Sequence, residues 1–213
     1  NSLTDPTCGS GTFLLEAIRR RLSNATPRTT AAELLDGLHG MDLNPLAVLA
    51  ARASLVVYLS QRLNPAKPVR LPVFLADAVH PADLSGKLYE HRLQTEKGAF
   101  GFKVPASLVK SSGFFALFNR LRDLIDSGED ADFILKALQT DTTVKALPPV
   151  ERDAFKDSIE VFVKLHAEGW NGIWCSILAE RFAASSMPPA DFVCGNPPWV
   201  KWSHLPPDYA AII

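Results

Sequence analysis

Acidic residues and one asparagine follow the segments of the chain that are predicted to be strands. Asp5, Asp42 and Asp77 stand at the carboxyl ends of three such segments, and Asn196 follows a fourth. Open α/β sheets bind ligands along that edge, near the point where the strand order reverses. The three carboxylates would suit a cationic, amino-acid-like ligand with a ribose and an adenine, because each acid accepts hydrogen bonds from one of these groups. Each Asp alone is equally typical of a helix cap or a loop, whereas the three together favour a binding site.

A glycine-rich turn lies between the first predicted strand and the helix that follows it. Its residues are Asp5, Pro6, Thr7, Cys8, Gly9, Ser10 and Gly11. Small residues here let the backbone approach a ligand and expose amides at a helix N-terminus, although a tight strand–helix connection has the same composition. The dinucleotide fingerprint is not met, because Leu14 stands in place of its third glycine. No Gly-Lys-Ser/Thr follows to form a phosphate-binding P-loop.

The tetrapeptide Asn196-Pro197-Pro198-Trp199 follows the fourth predicted strand at the same edge. Two successive prolines fix an extended backbone and leave carbonyl groups without neighbouring donors. The Asn196 side-chain oxygen and the Pro197 carbonyl could therefore accept both hydrogens of one planar amino group, while Trp199 could stack on a flat ring. A proline-rich turn beside a core tryptophan is the alternative interpretation of these four residues.

Strands and helices alternate through the first part of the chain. Strands are predicted at residues 3–5, 39–42 and 69–75, with a fourth at 191–195. A helix follows each of the first two strands, and the second helix begins with Asn44 as its cap and Pro45 at its first position. Such alternation predicts a parallel α/β sheet with helices on its faces. The stripe predicted to be buried in the second helix consists of Leu46, Leu49, Ala50, Ala53, Val56 and Val57.

A long segment separates the third predicted strand from the fourth. Three groups of apolar residues in it have helical spacing, which predicts a mostly helical insertion over residues 82–186. Residues 1–81 and 187–213 would then form the core that carries the sheet. The insertion contains slightly more acidic than basic residues, so its composition does not indicate a strong phosphate-binding surface.

The overall composition is that of an ordinary globular protein. The 213 residues include 22 Lys and Arg against 23 Asp and Glu, a formal net charge of −1, and 47% are hydrophobic. This balance argues against disorder and against a uniformly basic nucleic-acid coat. No segment reaches the ~18 apolar residues of a membrane span. Three cysteines without C-x-x-C spacing favour a reducing, cytoplasmic compartment, and the histidines have no ligand spacing, so no metal site is predicted.

The glycine-rich turn and the Pro-Pro tetrapeptide together resemble a known family. The segment from Asp5 to Leu14, followed by Asn196-Pro197-Pro198-Trp199, is similar to the amino-group methyltransferases that use S-adenosylmethionine. Within these, the chain most resembles the DNA adenine-N6 methyltransferases of bacterial restriction-modification and phage-defence systems. The resemblance implies a Rossmann-like methyltransferase sheet, mostly parallel and incomplete in this chain. It also implies double-stranded DNA, with the target adenine flipped out, as the partner.

The resemblance implies a role for each residue that matches the motifs. The methionine part of S-adenosylmethionine would be held by Asp5, Pro6, Thr7, Cys8, Gly9, Ser10 and Gly11. Its ribose would be bound by Asp42, with Leu43 packing on the adenine and Asp77 facing the adenine amino group. Phe13 would line the pocket, and Ala78 is a further cofactor-binding residue. The target base would be held by Asn196, Pro197, Pro198 and Trp199.

Two alternatives to DNA methylation stay open at this point. Asn-Pro-Pro-aromatic motifs also occur in methyltransferases for RNA amino groups and for protein glutamine side chains, although Trp199 and the glycine-rich turn favour DNA. The chain could also be a non-catalytic structural fragment, since it begins at Asn1 just before the glycine-rich turn and ends soon after Trp199. The remaining parts of a longer parent protein would then supply a target-recognition region and further strands of the sheet.

Overall fold

Two units make up the computed structural model, which describes residues 1–79, 82, 86–95, 98–197 and 199. The first unit contains Asn1–His80 and Pro188–Ile213, and the second is Pro81–Met187. The strands are β1 (Leu3–Asp5), β2 (Leu38–Asp42), β3 (Val73–Leu75), β4 (Leu88–Thr95), β5 (Gly98–Pro105) and β6 (Phe192–Val193). The helices are α1 (Thr12–Ser23), α2 (Ala31–Leu35), α3 (Pro45–Leu59), α4 (Ala106–Val109), α5 (Phe114–Asp126), α6 (Ala131–Leu138), α7 (Thr142–Lys145), α8 (Pro149–Ala167) and α9 (Ile173–Ser185).

The first unit is built on a sheet with the strand order β3-β2-β1-β6, in which every neighbouring pair is parallel. This order confirms the predicted parallel α/β arrangement. Strand β3 is shorter than predicted because it begins after Pro72, which has no N–H to donate to a neighbouring strand. The Pro72 carbonyl still accepts a hydrogen bond from the Gly40 amide at 2.8 Å, so the chain already runs beside β2 there.

Helix α1 and the glycine-rich turn both pack against Gly40 of β2. Leu14 and Ile18 of α1 are buried, and so is Cys8 in the turn. A Cβ atom on Gly40 of β2 would stand 2.7 Å from Leu14 Cδ1 and 3.2 Å from Cys8 Cβ. Glycine at this position therefore allows the helix and the turn to pack directly on the strand.

Helix α3 begins as predicted, since the Asn44 side chain accepts a hydrogen bond from the Leu46 amide and Pro45 follows the cap. The face that it buries differs from the predicted one. Its buried residues are Val48, Ala51, Leu55 and Leu59. The predicted stripe is exposed instead, at Leu46, Leu49, Ala50, Ala53, Val56 and Val57. That prediction was wrong because α3 is apolar on nearly every side, so the spacing of its apolar residues does not define one face.

A single cation orients α3 against the sheet. Arg52 is the only charged residue of the helix. Its Nε and Nη2 donate to the Val73 carbonyl at 3.1 and 2.7 Å. Val73 lies in the edge strand β3, and its carbonyl points away from β2 because residues on either side of it make the bonds to that strand. The guanidinium therefore covers the outer edge of β3.

The second unit contains a β-hairpin as well as helices. Strands β4 and β5 pair antiparallel, from Leu88 opposite Pro105 to Thr95 opposite Gly98, so the predicted mostly helical insertion is corrected there. Buried Phe102 and Val104 alternate with exposed Gly101 and Lys103, which is the spacing of a half-buried strand. Glycines and charged residues between these apolar positions concealed that spacing in the sequence, because both are uncommon inside strands.

The remaining part of the second unit is helical, and α5, α8 and α9 confirm the three predicted groups of helical spacing. Aromatic rings fill its core: the ring centroids of Phe102 and Phe162 lie 4.8 Å apart, and those of Phe114 and Phe118 lie 4.6 Å apart. Among the described residues of the chain, none of the helices combines the length and the apolar character that crossing a membrane requires.

A buried serine joins α8 to the hairpin. Ser158 Oγ accepts a hydrogen bond from the Lys103 amide at 2.7 Å and donates to the Lys103 carbonyl at 2.8 Å. The hydroxyl thus satisfies both backbone groups on the outer side of β5, as a further strand would.

Replacing Ser158 by alanine should destabilise the protein by about 1–3 kcal/mol, because the Lys103 amide and carbonyl lose their partner where water has poor access. Urea unfolding followed by far-ultraviolet circular dichroism measures the change. Ser127→Ala is the matched control, because the Ser127 hydroxyl is exposed at the end of α5 and its loss should cost under ~0.5 kcal/mol. Equal unfolding midpoints for the two variants would contradict the role given to Ser158.

Candidate functional site

The carboxyl ends of the parallel strands bring acidic residues and an asparagine to one edge of the first unit. Asp5 ends β1, Asp42 ends β2, and Asp77 follows β3 closely. Asn196 comes shortly after β6, which pairs with β1. Because the strand order is β3-β2-β1-β6, the four residues follow one another along that edge. This is the edge at which open α/β sheets bind their ligands.

Asp5 is a fully buried carboxylate, with 0% of its surface exposed. Its Oδ1 accepts a hydrogen bond from the Thr7 amide at 3.1 Å, whereas Oδ2 is buried and has no hydrogen-bond partner within the described ranges. The hydroxyl oxygen of Thr7 is also buried, and it too has no hydrogen-bond partner among the described residues. Since buried polar atoms are almost always paired, Asp5 and Thr7 together favour a site for a hydrogen-bond donor.

The surroundings of Asp5 shift the pKa of its carboxyl. Burial raises the pKa of its carboxyl above the usual value, the hydrogen bond from the Thr7 amide opposes that rise, and the negative charge of Asp42 adds to it. Ionised Asp5 is therefore strained by desolvation, and a positively charged donor at Oδ2 would relieve that strain.

Asp42 holds the glycine-rich turn against the second strand. Its Oδ2 accepts a hydrogen bond from the Gly9 amide at 2.9 Å, and its Oδ1 accepts one from the Asn44 amide at 2.8 Å. No pattern in the sequence indicates this role, because Gly9 and Asp42 are far apart along the chain. Asp42 thus shapes the turn in addition to lining the edge.

The backbone of the turn needs its glycines. Gly9 has φ +52° and Gly11 has φ +87°, a left-handed region that L side chains rarely adopt. A Cβ atom on Gly11 would also stand 3.2 Å from Ala51 Cβ, whereas the space beside Gly9 is open within 4 Å. Cys8 in the same turn is buried, and its burial together with the charges of Asp5 and Asp42 raises the pKa of the thiol to about 12. The thiol therefore stays protonated near neutral pH.

Exposed apolar side chains stand in the segments that follow the strand ends. Phe13 in the first turn of α1 and Leu43 just after Asp42 are 37% and 57% exposed. Trp199 is 94% exposed, so the interpretation of this residue as a core tryptophan is wrong. Rings and aliphatic groups beside polar side chains provide surfaces on which a flat ring can stack.

The other residues singled out from the sequence lie in the same region. Asp77 is buried, and its Oδ1 accepts a hydrogen bond from the Val79 amide at 2.9 Å. Ser10, Ala78, Asn196 and Pro197 are exposed, and Pro6 is half-buried. Pro198 lies outside the described residues. In the part of the chain that is described, no three His, Cys, Asp or Glu side chains are grouped closely enough to hold a metal ion.

Comparison with known proteins finds similarity to a methyltransferase. Over 88 residues the chain is 39% identical to the adenine-specific methyltransferase PglX of Streptomyces coelicolor, and the match covers 35% of this chain. It covers 7% of the length of PglX, which is a much longer protein. No protein-family profile matches the chain, and no solved structure does.

Replacing Asp5 by asparagine should raise the free energy of unfolding at about pH 7, because the variant no longer holds a desolvated carboxylate. The pKa of Asp5 is higher in the folded than in the unfolded chain, so between the two values the folded protein binds more protons and its stability falls as the pH rises. The gain from Asp5→Asn should therefore shrink when urea unfolding is repeated at about pH 4.

The control for this comparison is Asp36→Asn, a change of the same charge at an exposed position of the same unit. It should leave the unfolding midpoint nearly unchanged at both pH values. If Asp5→Asn lowered the stability at about pH 7, other groups of the protein would be stabilising the Asp5 carboxylate. The statement that desolvation destabilises ionised Asp5 would then be wrong.

Proposed function

We propose that the protein transfers a methyl group from S-adenosylmethionine to the exocyclic N6 amino group of adenine in DNA, as part of a restriction-modification or phage-defence enzyme. The observation that carries the proposal is the fully buried Asp5, whose Oδ2 has no partner among the described residues, beside the equally unpartnered Thr7 hydroxyl. The motif resemblance and the stretch shared with an adenine-specific methyltransferase support it. The first unit would be an incomplete Rossmann-like methyltransferase core and the second unit an insertion in it.

The groups around Asp5 fit the amino-acid part of S-adenosylmethionine. An ammonium group donates three hydrogen bonds and carries a positive charge, while Asp5 Oδ2 and Thr7 Oγ1 are buried acceptors. Pairing the carboxylate with a cation would offset its desolvation and bring its pKa back toward the usual range. The open space beside Gly9 leaves the backbone of the turn accessible to a ligand.

The neighbouring strand ends would hold the nucleoside part. Both oxygens of Asp42 already accept a backbone amide, yet each keeps a further lone pair to which ribose hydroxyls could donate. Leu43 and Phe13 would pack against the adenine ring. Asp77, with Ala78 beside it, would face the amino group of that adenine.

The target base would lie against the segment after β6. When bound, S-adenosylmethionine supplies a methyl group on a positively charged sulfur. Asn196 Oδ1 and the Pro197 carbonyl would hold the two hydrogens of the target amino group, which opposes delocalisation of the nitrogen lone pair into the ring and directs that lone pair at the methyl carbon. Pro198 would keep the segment extended, and Trp199 would stack on a base that has left the helix.

A non-catalytic fragment is the second candidate, and strand β6 favours it. Phe192 and Val193 alternate between the two faces of the sheet, yet they are 57% and 72% exposed, so neither face is covered at this strand. Further strands and a target-recognition region would then come from the remaining parts of the parent protein. The insertion would be one place for target recognition, although its composition is slightly acidic.

Calorimetric titration with S-adenosylmethionine should show saturable binding to the protein. Asp5→Asn and Asp42→Asn should each weaken the affinity by about tenfold or more, because a charge-assisted hydrogen bond is lost while the size of the side chain is kept. Asp36→Asn, at its exposed position, should bind like the wild type. Unchanged affinity in all three variants, or no binding by folded wild-type protein, would overturn the cofactor assignment.

Methyl-labelled S-adenosylmethionine should transfer its label to double-stranded DNA, and digestion of the DNA should yield N6-methyladenine. Asn196→Ala should lower kcat by about 100-fold, because the target amino group loses an acceptor in the transition state. Asn24→Ala, an exposed asparagine of the same unit, is the control and should retain full activity. If the label appeared on RNA or on protein glutamine and not on DNA, that molecule would be the substrate in place of DNA. If the protein bound the cofactor but transferred no label, the non-catalytic fragment would be favoured.

A further inference from the structure

We infer that Gly195 is a positioning residue that places Asn196 and Pro197, the start of the segment proposed to hold the target base, next to the Asp5–Thr7 pair. Its role in binding rests on the proposed function. The Cys194 amide still donates to the Thr4 carbonyl of β1 at 3.0 Å, so the chain is tied to the sheet up to the residue before Gly195. Asn196 follows immediately, and the path of the backbone at Gly195 therefore sets where Asn196 leaves the sheet.

The space beside Gly195 has no room for a side chain. A Cβ atom at this position would stand 3.0 Å from Asp5 Oδ1, 3.1 Å from Thr7 Oγ1 and 3.3 Å from Pro6 Cδ. The three distances are shorter than nine in ten Cβ contacts in proteins, so the neighbouring atoms would have to give by a few tenths of an ångström. Gly195 is also not among the glycines with positive φ, so the requirement comes from this close approach and not from the backbone conformation.

The neighbours of Gly195 are the atoms proposed to hold the cofactor. Asp5 Oδ1 is bonded to the Thr7 amide, and the carboxylate is fully buried, so it has little freedom to move aside. A methyl group at Gly195 would push the Thr7 hydroxyl away or lift the Asn196 segment off the turn. The residues proposed for the cofactor and those proposed for the target base thus come close together at Gly195, and the absence of a side chain there allows this approach.

A methyl group at residue 195 would also change the pKa of the Asp5 carboxyl. It would weaken the hydrogen bond that Asp5 Oδ1 accepts from the Thr7 amide, and the loss of that bond raises the pKa of Asp5. The other ionisable groups that act on this carboxyl are Asp42 and the Cys8 thiol. Cys8 stays neutral in the acidic range, and Asp42 is unaltered by the substitution, so the shift reports on residue 195.

The test compares the wild type with Gly195→Ala and with Gly101→Ala, a glycine that has ordinary φ and open space within 4 Å of its Cβ position. Carbon-13 NMR titration of the Asp5 carboxyl needs no cofactor, and calorimetry measures the affinity for S-adenosylmethionine. Gly195→Ala should move the Asp5 titration to higher pH and weaken cofactor binding by about tenfold. Gly101→Ala should change neither.

Each outcome separates the inference from the proposed function. An Asp5 titration that is the same in Gly195→Ala and wild type would overturn the inference, whatever the cofactor does. A shifted titration with unchanged affinity would overturn the positioning role in binding. A shifted titration in a protein whose wild type binds no S-adenosylmethionine would overturn the proposed function and still support the placement of Gly195 on the Asp5–Thr7 pair.

Discussion

The carboxylate of Asp5 is held at the end of an inner strand with no exposed surface, and much of the first unit is arranged around it. Strands β2 and β6 flank β1, and the glycine-rich turn folds back so that the Thr7 amide reaches Oδ1. The same turn keeps Cys8 as a neutral thiol and leaves Gly195 without room for a side chain. An amide in this place would avoid the cost of the buried charge and could keep the bond from the Thr7 amide, which is why we propose a binding role for the carboxylate.

The positions of the site residues along the sheet were predictable because they depend on local rules. Alternating strands and helices fix a parallel sheet, and in such a sheet every strand ends at the same edge. The Asn44 cap and Pro45 likewise marked the start of α3 correctly. The hydrogen bond from Gly9 to Asp42 was not predictable in this way, since it joins residues 33 positions apart and depends on how the turn packs over β2.

The buried face of α3 and the hairpin of the second unit were not predictable, because both depend on contacts between distant parts of the chain. Helix α3 is apolar on almost all sides, so its buried face is chosen by tertiary contacts such as the bond between Arg52 and the Val73 carbonyl. The hairpin of the second unit was hidden because its apolar positions are separated by residues of low strand propensity. It is stabilised from outside by α8, where Ser158 completes the hydrogen bonding of Lys103. In both cases the deciding interaction links distant parts of the chain.

The hydrogen bonds from Arg52 to the Val73 carbonyl also affect which edge of the sheet can pair with a further strand. At one end, the outward carbonyl of Val73 is occupied by a guanidinium. At the other, β6 turns the N–H and C=O of Val193 outward, since its bonds to β1 are made by the residues on either side. Pairing of a further strand with the described part of this sheet is therefore easier at β6 than at β3, where the Val73 carbonyl already has a partner.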